Sequence, residues 1–219
     1  MSVVSRIRAG FLKVSGYLVP LIVQIPPMGV YPALMTLPLV LYLVLLGQQL
    51  PASLHLAVVD FVQSGSFFSP LALGFVVVGL ALAIFSIVFL VWHRKEGLVT
   101  SGPYRFIRHP QYTGFLLLTL GLTAMSYTLL KTTYGMGWLT PEATLVVWFV
   151  ELGLYLLLAL IEEYYLSKKF GEQFTAYRDR SSFLIPMGRL RGFDIPLSVL
   201  VLSGCLFFLV SLGVQPFFA

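Results

Sequence analysis

The stretch Ser101–Phe115 reads SGPYRFIRHPQYTGF, and its surroundings decide the fold. Arg105, Arg108, His109, two prolines and several tyrosine and glycine positions crowd into it. The chain around it is 58% hydrophobic and only 11% charged over 219 residues, against roughly a quarter charged in a soluble domain. So polar a stretch in so apolar a chain marks a place where the polypeptide leaves a membrane. Uncharged runs of helical length flank it. Such a run crosses a hydrocarbon layer about 30 Å thick as one helix, because a helix satisfies its own backbone hydrogen bonds where water is absent. Five runs qualify, at 28–47, 71–92, 112–130, 143–161 and 195–213. The expected fold is an all-α integral membrane protein with about five transmembrane helices.

Charge placement sets the orientation. Arg6, Arg8 and Lys13 precede the first run, Arg94, Lys95, Arg105 and Arg108 follow the second, and Lys168, Lys169, Arg178, Arg180, Arg189 and Arg191 follow the fourth. Of the basic residues Lys131 alone lies on the other side, so the positive-inside rule puts the N-terminus in the cytoplasm and the C-terminus outside. The net charge of +5 is thus a topology signal and leaves nothing for nucleic acid to explain. A lone cysteine, Cys205, within a span forms no internal disulfide. Residues 14–24 resemble a signal-peptide core, but Pro20, Pro26 and Pro27 and the lack of a small-residue cleavage site favour an interfacial or half-inserted segment. The loop 48–69 has no Lys or Arg and includes LHLAVVDFV, which suits the outer interface. Three regions follow: 1–96 with two spans, 97–187 as a core with two spans and the polar motifs, and 188–219 as an additional span.

The polar chemistry falls in two cytoplasmic segments, His93–Gln111 and Glu162–Arg191. Each abuts a span end, and a short outer turn joins the third and fourth spans, so antiparallel packing brings the segments together. Pro110 suits the first position of a helix, where its missing N–H is no loss. The third span then starts at the motif, and its N-terminus with Arg108 and His109 forms a seat for an anion. The plainer alternative is that both residues anchor the span at lipid headgroups. In IEEYYLSKKFGEQFTAYRDRSSFLIP, the residues Leu166, Phe170, Phe174 and Tyr177 recur at helical spacing, as in an amphipathic surface helix. Glu162 and Glu163 sit where the fourth span emerges, an end that disfavours negative charge. They call for a cation, either Arg105 or Arg108 or a ligand's ammonium group.

Glu151 lies mid-span, where a carboxyl needs a partner, a wet cavity or a task. Glu162 lies eleven residues further on, about 20° around and roughly 16 Å along the helix, so the two share a face, and Tyr155 falls on the same stripe. The stripe suits the wall of a substrate channel; a packing contact of Glu151 with Thr119 or Ser126 is the alternative. His55 and His93 have no ligand-like spacing with His109, so no metal site is expected.

LVTSGPYRFIRHPQYTG, followed by EEYYLSKKFGEQFTAY and IP, resembles the signature of the isoprenylcysteine carboxyl methyltransferase family, membrane enzymes whose wider relatives include phospholipid methyltransferases. The resemblance covers 97–186. It implies S-adenosyl-L-methionine as methyl donor, bound at the cytoplasmic membrane face without a Rossmann domain. It also implies a lipophilic acceptor, whether an isoprenylcysteine carboxylate, a lipid amine or a thiol. Carried over position by position, the family's cofactor contacts fall on His109, Tyr112, Gly114, Glu162 and Glu163. Arg108 and one glutamate of the pair, taken as Glu162, stand close to the reaction centre. A sulfonium methyl is already activated, so such an enzyme mainly aligns the nucleophile and supplies electrostatics. The span 195–213 departs from the better-known eukaryotic members. One rival class is an NADPH-dependent sterol-type reductase, which resembles this family in an HPxYxG-like motif but calls for extra arginines rather than carboxylates. Another is a small membrane transporter or assembly protein, which would spread polar residues over several spans.

Overall fold

The computed structural model describes residues 30–63, 68–93, 97–133, 139–186 and 193–213. Arg6, Arg8, Lys13, the segment 14–24, Arg94, Lys95, Arg189 and Arg191 lie outside the described residues. Those described form α-helices and no β-strand: α1 (Val30–Leu46), α2 (Leu50–Gln63), α3 (Phe68–His93), α4 (Pro110–Thr132), α5 (Pro141–Phe170), α6 (Glu172–Arg178) and α7 (Asp194–Gly213). A 3-10 turn, Gly102–Arg105, precedes α4.

Helices α3, α4, α5 and α7, with 26, 23, 30 and 20 residues, are each long and apolar enough to cross a membrane. A fifth candidate is the bent pair of α1 and α2, which meet at 79°. The sequence gives the reason for the bend. Gly47 and the ring of Pro51 straddle the turn, and a residue before proline is biased away from helix, so α1 stops and α2 restarts with Pro51 in its first turn. The loop expected at 48–69 is therefore largely helix α2. A second correction concerns the amphipathic segment. Nothing between Ile161 and Phe170 breaks a helix, so α5 runs on to Phe170 and reaches about 45 Å at 1.5 Å per residue, beyond a layer of about 30 Å. The break comes at Gly171, at φ 51°, a left-handed conformation suited to glycine. Beyond it α6 buries Phe174 and Tyr177, while Lys168, Lys169, Glu172 and Arg178 stay exposed.

Helix α4 is the central post. Within its apolar window 78% of residues are buried, against 17% for α3 and 28% for α7, and it packs on α1, α2, α3, α5 and α7. Lipid offers no hydrophobic drive between helices, so close approach rests on small residues and interhelical hydrogen bonds. Both are present. A Cβ added to Gly114 would sit 2.5 Å from the Ala83 backbone nitrogen, and one on Gly79 would sit 2.7 Å from the Gly114 carbonyl. On the other side of α4 the Tyr42 hydroxyl donates to the Thr119 carbonyl at 3.1 Å and lies 2.7 Å from the Thr123 hydroxyl. Ser53 of α2 meets Ser126 at 3.2 Å.

This seam predicts that Gly79→Leu destabilises the detergent-purified protein by about 1–3 kcal/mol, the range for overpacking. Gly74→Leu, on the same helix with nothing within 4 Å of an added Cβ, should leave thermal unfolding nearly unchanged. Equal melting temperatures for the two variants would contradict the seam.

Candidate functional site

The motif between α3 and α4 folds against the segment after α6 by backbone pairing. A single parallel bridge joins Ile107 to Ser182. The Arg108 N–H donates to the Ser182 carbonyl at 2.8 Å, and the Ser182 N–H donates to the Phe106 carbonyl at 3.0 Å. The Thr113 hydroxyl donates to the Leu184 carbonyl at 2.6 Å, and the Tyr177 hydroxyl to the Tyr104 carbonyl at 2.8 Å. The two polar segments are thus neighbours, as antiparallel spans require. Helix α4 begins at Pro110 with His109 as its N-cap. Gly102 lets the chain enter this arrangement at φ 59°, and an added Cβ there would strike the Phe89 ring.

Arg108, 7% exposed, holds four segments at once. Its Nε donates to Glu163 Oε1 at 2.5 Å, one terminal nitrogen donates to the Arg178 and Ser181 carbonyls at 3.0 and 2.5 Å, and the other donates to Asp194 Oδ2 at 2.5 Å. The carbonyl contacts cap the C-terminus of α6, where the dipole favours a cation. The guanidinium also lies 5.5 Å from the Phe183 ring centre. Arg105, by contrast, is exposed and lies over Phe106 at 5.9 Å.

His109, 1% exposed, sits between the glutamates. Nδ1 is 3.3 Å from Glu162 Oε2 and Nε2 is 3.4 Å from Glu163 Oε1. These separations give strong electrostatic attraction, but neither is aligned as a hydrogen bond, and both ring nitrogens remain without one. Tyr112 stacks on the ring at 5.5 Å and Phe183 meets it edge-on at 5.3 Å. Burial pushes the imidazole toward its neutral form, but Glu162 and Glu163 outweigh that and hold its pKa at about 9. Because the folded value is raised, this stabilising term is full below about pH 6.5, the ordinary histidine value, and is lost as pH rises through about 9.

The two glutamates differ. Glu163 is committed to Arg108, whereas Glu162 Oε2 is buried and makes no hydrogen bond among the described residues. Glu162 also lines a groove with Leu34, Met35, Tyr112, Leu158, Ile161 and Tyr165. Arg108, His109, Tyr112, Glu162 and Glu163 are therefore brought together. Gly114 is not among them, since its open face abuts Ala83 of α3; its visible role is helix packing. Glu151 and Tyr155 are fully enclosed, at 2% and 0% exposure. Tyr155 stacks between Tyr112 and Phe115, which links that stripe to the site. Among the described residues both carboxyl oxygens of Glu151, the Tyr155 hydroxyl and the Trp148 indole nitrogen make no side-chain hydrogen bond of good geometry. Thr119, the packing neighbour expected for Glu151, interacts with its carboxyl while donating its own proton to the Phe115 and Leu116 carbonyls, and Ser126 faces Ser53. Sequence reasoning missed Asp194, Phe183 and the carbonyls of Arg178 and Ser181. Asp194 is the last acid in the chain and opens a span, which was a usable signal. Among the described residues no group of three His, Cys, Asp or Glu side chains could hold a metal ion.

Comparison with known proteins covers part of this site. The model of the isoprenylcysteine carboxyl methyltransferase family matches residues 66–151. This is α3, the RHPQY motif, α4 and the first part of α5; it starts before and ends short of the stretch 97–186 that carries both motifs, leaving the Glu162–Glu163 pair outside. Protein-S-isoprenylcysteine O-methyltransferase A of Arabidopsis thaliana is 31% identical over 97 residues, 43% of this chain and 42% of that protein. The cobalt-zinc-cadmium resistance protein CzcN of Cupriavidus metallidurans is 39% identical over 72 residues, 31% of this chain and 33% of that protein. The chain thus spans less than half the length of each of these relatives. No solved structure matches. Through residues 66–151 the chain is similar to the isoprenylcysteine carboxyl methyltransferase family.

Proposed function

We propose that the protein is an integral membrane methyltransferase that takes a methyl group from S-adenosyl-L-methionine to a lipophilic acceptor at the cytoplasmic membrane face. One observation carries the reading: the RHPQY motif and the glutamate pair form one buried ion cluster, and Glu162, whose Oε2 faces His109 but makes no hydrogen bond among the described residues, lines an apolar groove. That donor set fits the cofactor. Glu162 offers a carboxylate to an ammonium group, His109 a cation to a carboxylate, and the Tyr112 face an apolar wall. When bound, the cofactor supplies an activated sulfonium methyl. The chain's own residues do the rest: Arg108 and Glu163 fix the helix ends, His109 and Tyr112 shape the pocket floor, and the groove excludes water from the nucleophile's path. The 2′-phosphate of NADPH would meet these carboxylates rather than arginines, which disfavours a reductase.

Orientation supports cytoplasmic access. Arg105, Arg108, Lys168, Lys169, Arg178 and Arg180 gather at the site end of the bundle, while Lys131 pairs with Glu142 at 2.9 Å at the opposite end. Residues 97–187 act as the methyltransferase core, with 1–96 and α7 as flanking spans. The stripe from Glu162 through Tyr155 to Glu151 forms the wall of the acceptor's path into the bilayer.

The two glutamates should separate by experiment. Glu162→Ala should weaken S-adenosylhomocysteine binding by about 1.5–3 kcal/mol, the range for a charge-assisted hydrogen bond, with little change in melting temperature. Glu163→Ala should instead lower stability by about 3 kcal/mol, because it leaves Arg108 buried and half-compensated. Calorimetry and thermal unfolding read both, and unchanged cofactor affinity in folded Glu162→Ala would remove the site.

For the path, Glu151→Gln keeps shape and removes an ionisable group. It should leave S-adenosylhomocysteine affinity intact and change the methyl-transfer rate or acceptor preference. Parent-like kinetics across a panel of lipophilic acceptors would return Glu151 to a packing role.

A further inference from the structure

The C-terminal helix reaches into the site. Asp194, the first residue of α7, places Oδ2 at 2.5 Å from a terminal nitrogen of Arg108, and α7 is held over the site by its packing on α3 and α4. Of the two residues in this contact, Arg108 lies inside the segment matched by the family model, 66–151, and Asp194 lies outside it. Arg108 is the buried cation that could have offset an acceptor carboxylate. Here Glu163 takes its Nε and Asp194 a terminal nitrogen.

Formal charges then decide what the site accepts. Among the described residues two cationic groups, Arg108 and His109, face three carboxylates, Glu162, Glu163 and Asp194. The bare cluster carries one net negative charge. S-adenosyl-L-methionine, with a sulfonium, an ammonium and a carboxylate, adds one net positive charge. The loaded site is neutral. Arg105, Arg178 and Arg180 are exposed, and water and salt screen them. An acceptor carboxylate would enter as an uncompensated charge in a largely dry site, the costly case. An uncharged nucleophile would not.

Resting on methyl transfer at this site, we propose that the acceptor presents an uncharged O–H, N–H or S–H group on a lipophilic body, and that Asp194 is the residue that excludes carboxylate acceptors. Such an acceptor differs from a carboxylate in a second way: it carries a proton that has to leave. Its lone pair forms the bond to the methyl carbon while the carbon–sulfur bond breaks with both electrons going to sulfur. The positive charge passes from sulfur to the acceptor atom. The proton on that atom then moves to the carboxylate of Glu162, which lines the groove and faces His109 through Oε2 at 3.3 Å. Atoms and charge balance with no further reactant. A carboxylate acceptor would have no use for that base.

The test uses the full chain in nanodiscs loaded with S-adenosylhomocysteine, with decanol and decanoate as matched-length probes and empty nanodiscs correcting for partition. The parent should bind decanol in clear preference to decanoate. Asp194→Asn should shrink that preference by about tenfold, equal to about 1.4 kcal/mol, and Asp194→Glu should restore it. A parent that favours decanoate, or an Asp194→Asn ratio equal to the parent's, overturns the assignment. If Asp194→Asn loses S-adenosylhomocysteine, the parent's own ratio and Asp194→Glu decide. Failure of the parent to bind S-adenosylhomocysteine would instead overturn the methyl-transfer reading itself, so the two failures are told apart by the first titration.

Discussion

A single buried guanidinium organises the RHPQY end of this bundle. Arg108 sits just before α4, yet its hydrogen bonds end on α5 through Glu163, on the α6 terminus through the Arg178 and Ser181 carbonyls, and on α7 through Asp194. The cost of taking so many charges out of water is large, and a buried ion pair is not by itself a source of stability. What it supplies is geometry. A forked, planar cation accepts partners only in fixed directions, so the helix ends must arrive in one arrangement for any of these groups to be satisfied. His109, one residue on, inherits that placement and falls between the two glutamates.

The bundle beneath supports this clasp by different means. Within the apolar layer the contacts are glycine against backbone, as at Gly79 and Gly114, and hydroxyl pairs such as Tyr42 with Thr123. These fix how close α3 and α1 come to α4, and so where α4 begins. The placement of the motif is thus set from below by packing and from above by charge. Between the two regions runs the ring ladder of His109, Tyr112, Tyr155 and Phe115. It is the physical continuity between the ion cluster and the unbonded polar groups around Glu151.

Much of this was legible in the sequence, for identifiable reasons. Proline has few tolerable helix positions, so Pro110 announced the start of α4. Short outer connections force antiparallel neighbours, so the RHPQY and glutamate segments had to meet. Other features were not legible. A turn between Gly47 and Pro51 reads as a loop boundary, and nothing in the apolar composition of 50–63 reveals that it resumes as helix. The continuation of α5 to Phe170 was hidden because its apolar spacing also fits a separate surface helix. Gly114 was carried into the cofactor site by motif position, whereas a glycine on a helix can equally mark a close crossing, and it packs on Ala83. Asp194 lies just outside the run 195–213 and its place as the last acid in the chain was a signal, but its choice of Arg108, 86 residues away in sequence, is a tertiary outcome.

The cluster around His109 and Glu162 is the proposed seat for the methyl donor. Calorimetric titration of the purified protein with S-adenosylhomocysteine and, separately, with NADPH tests it without knowledge of the acceptor. Saturable binding of S-adenosylhomocysteine, weakened as pH rises through about 9 with the loss of the His109 proton, and no binding of NADPH is the predicted result. Binding of NADPH in place of S-adenosylhomocysteine would contradict it.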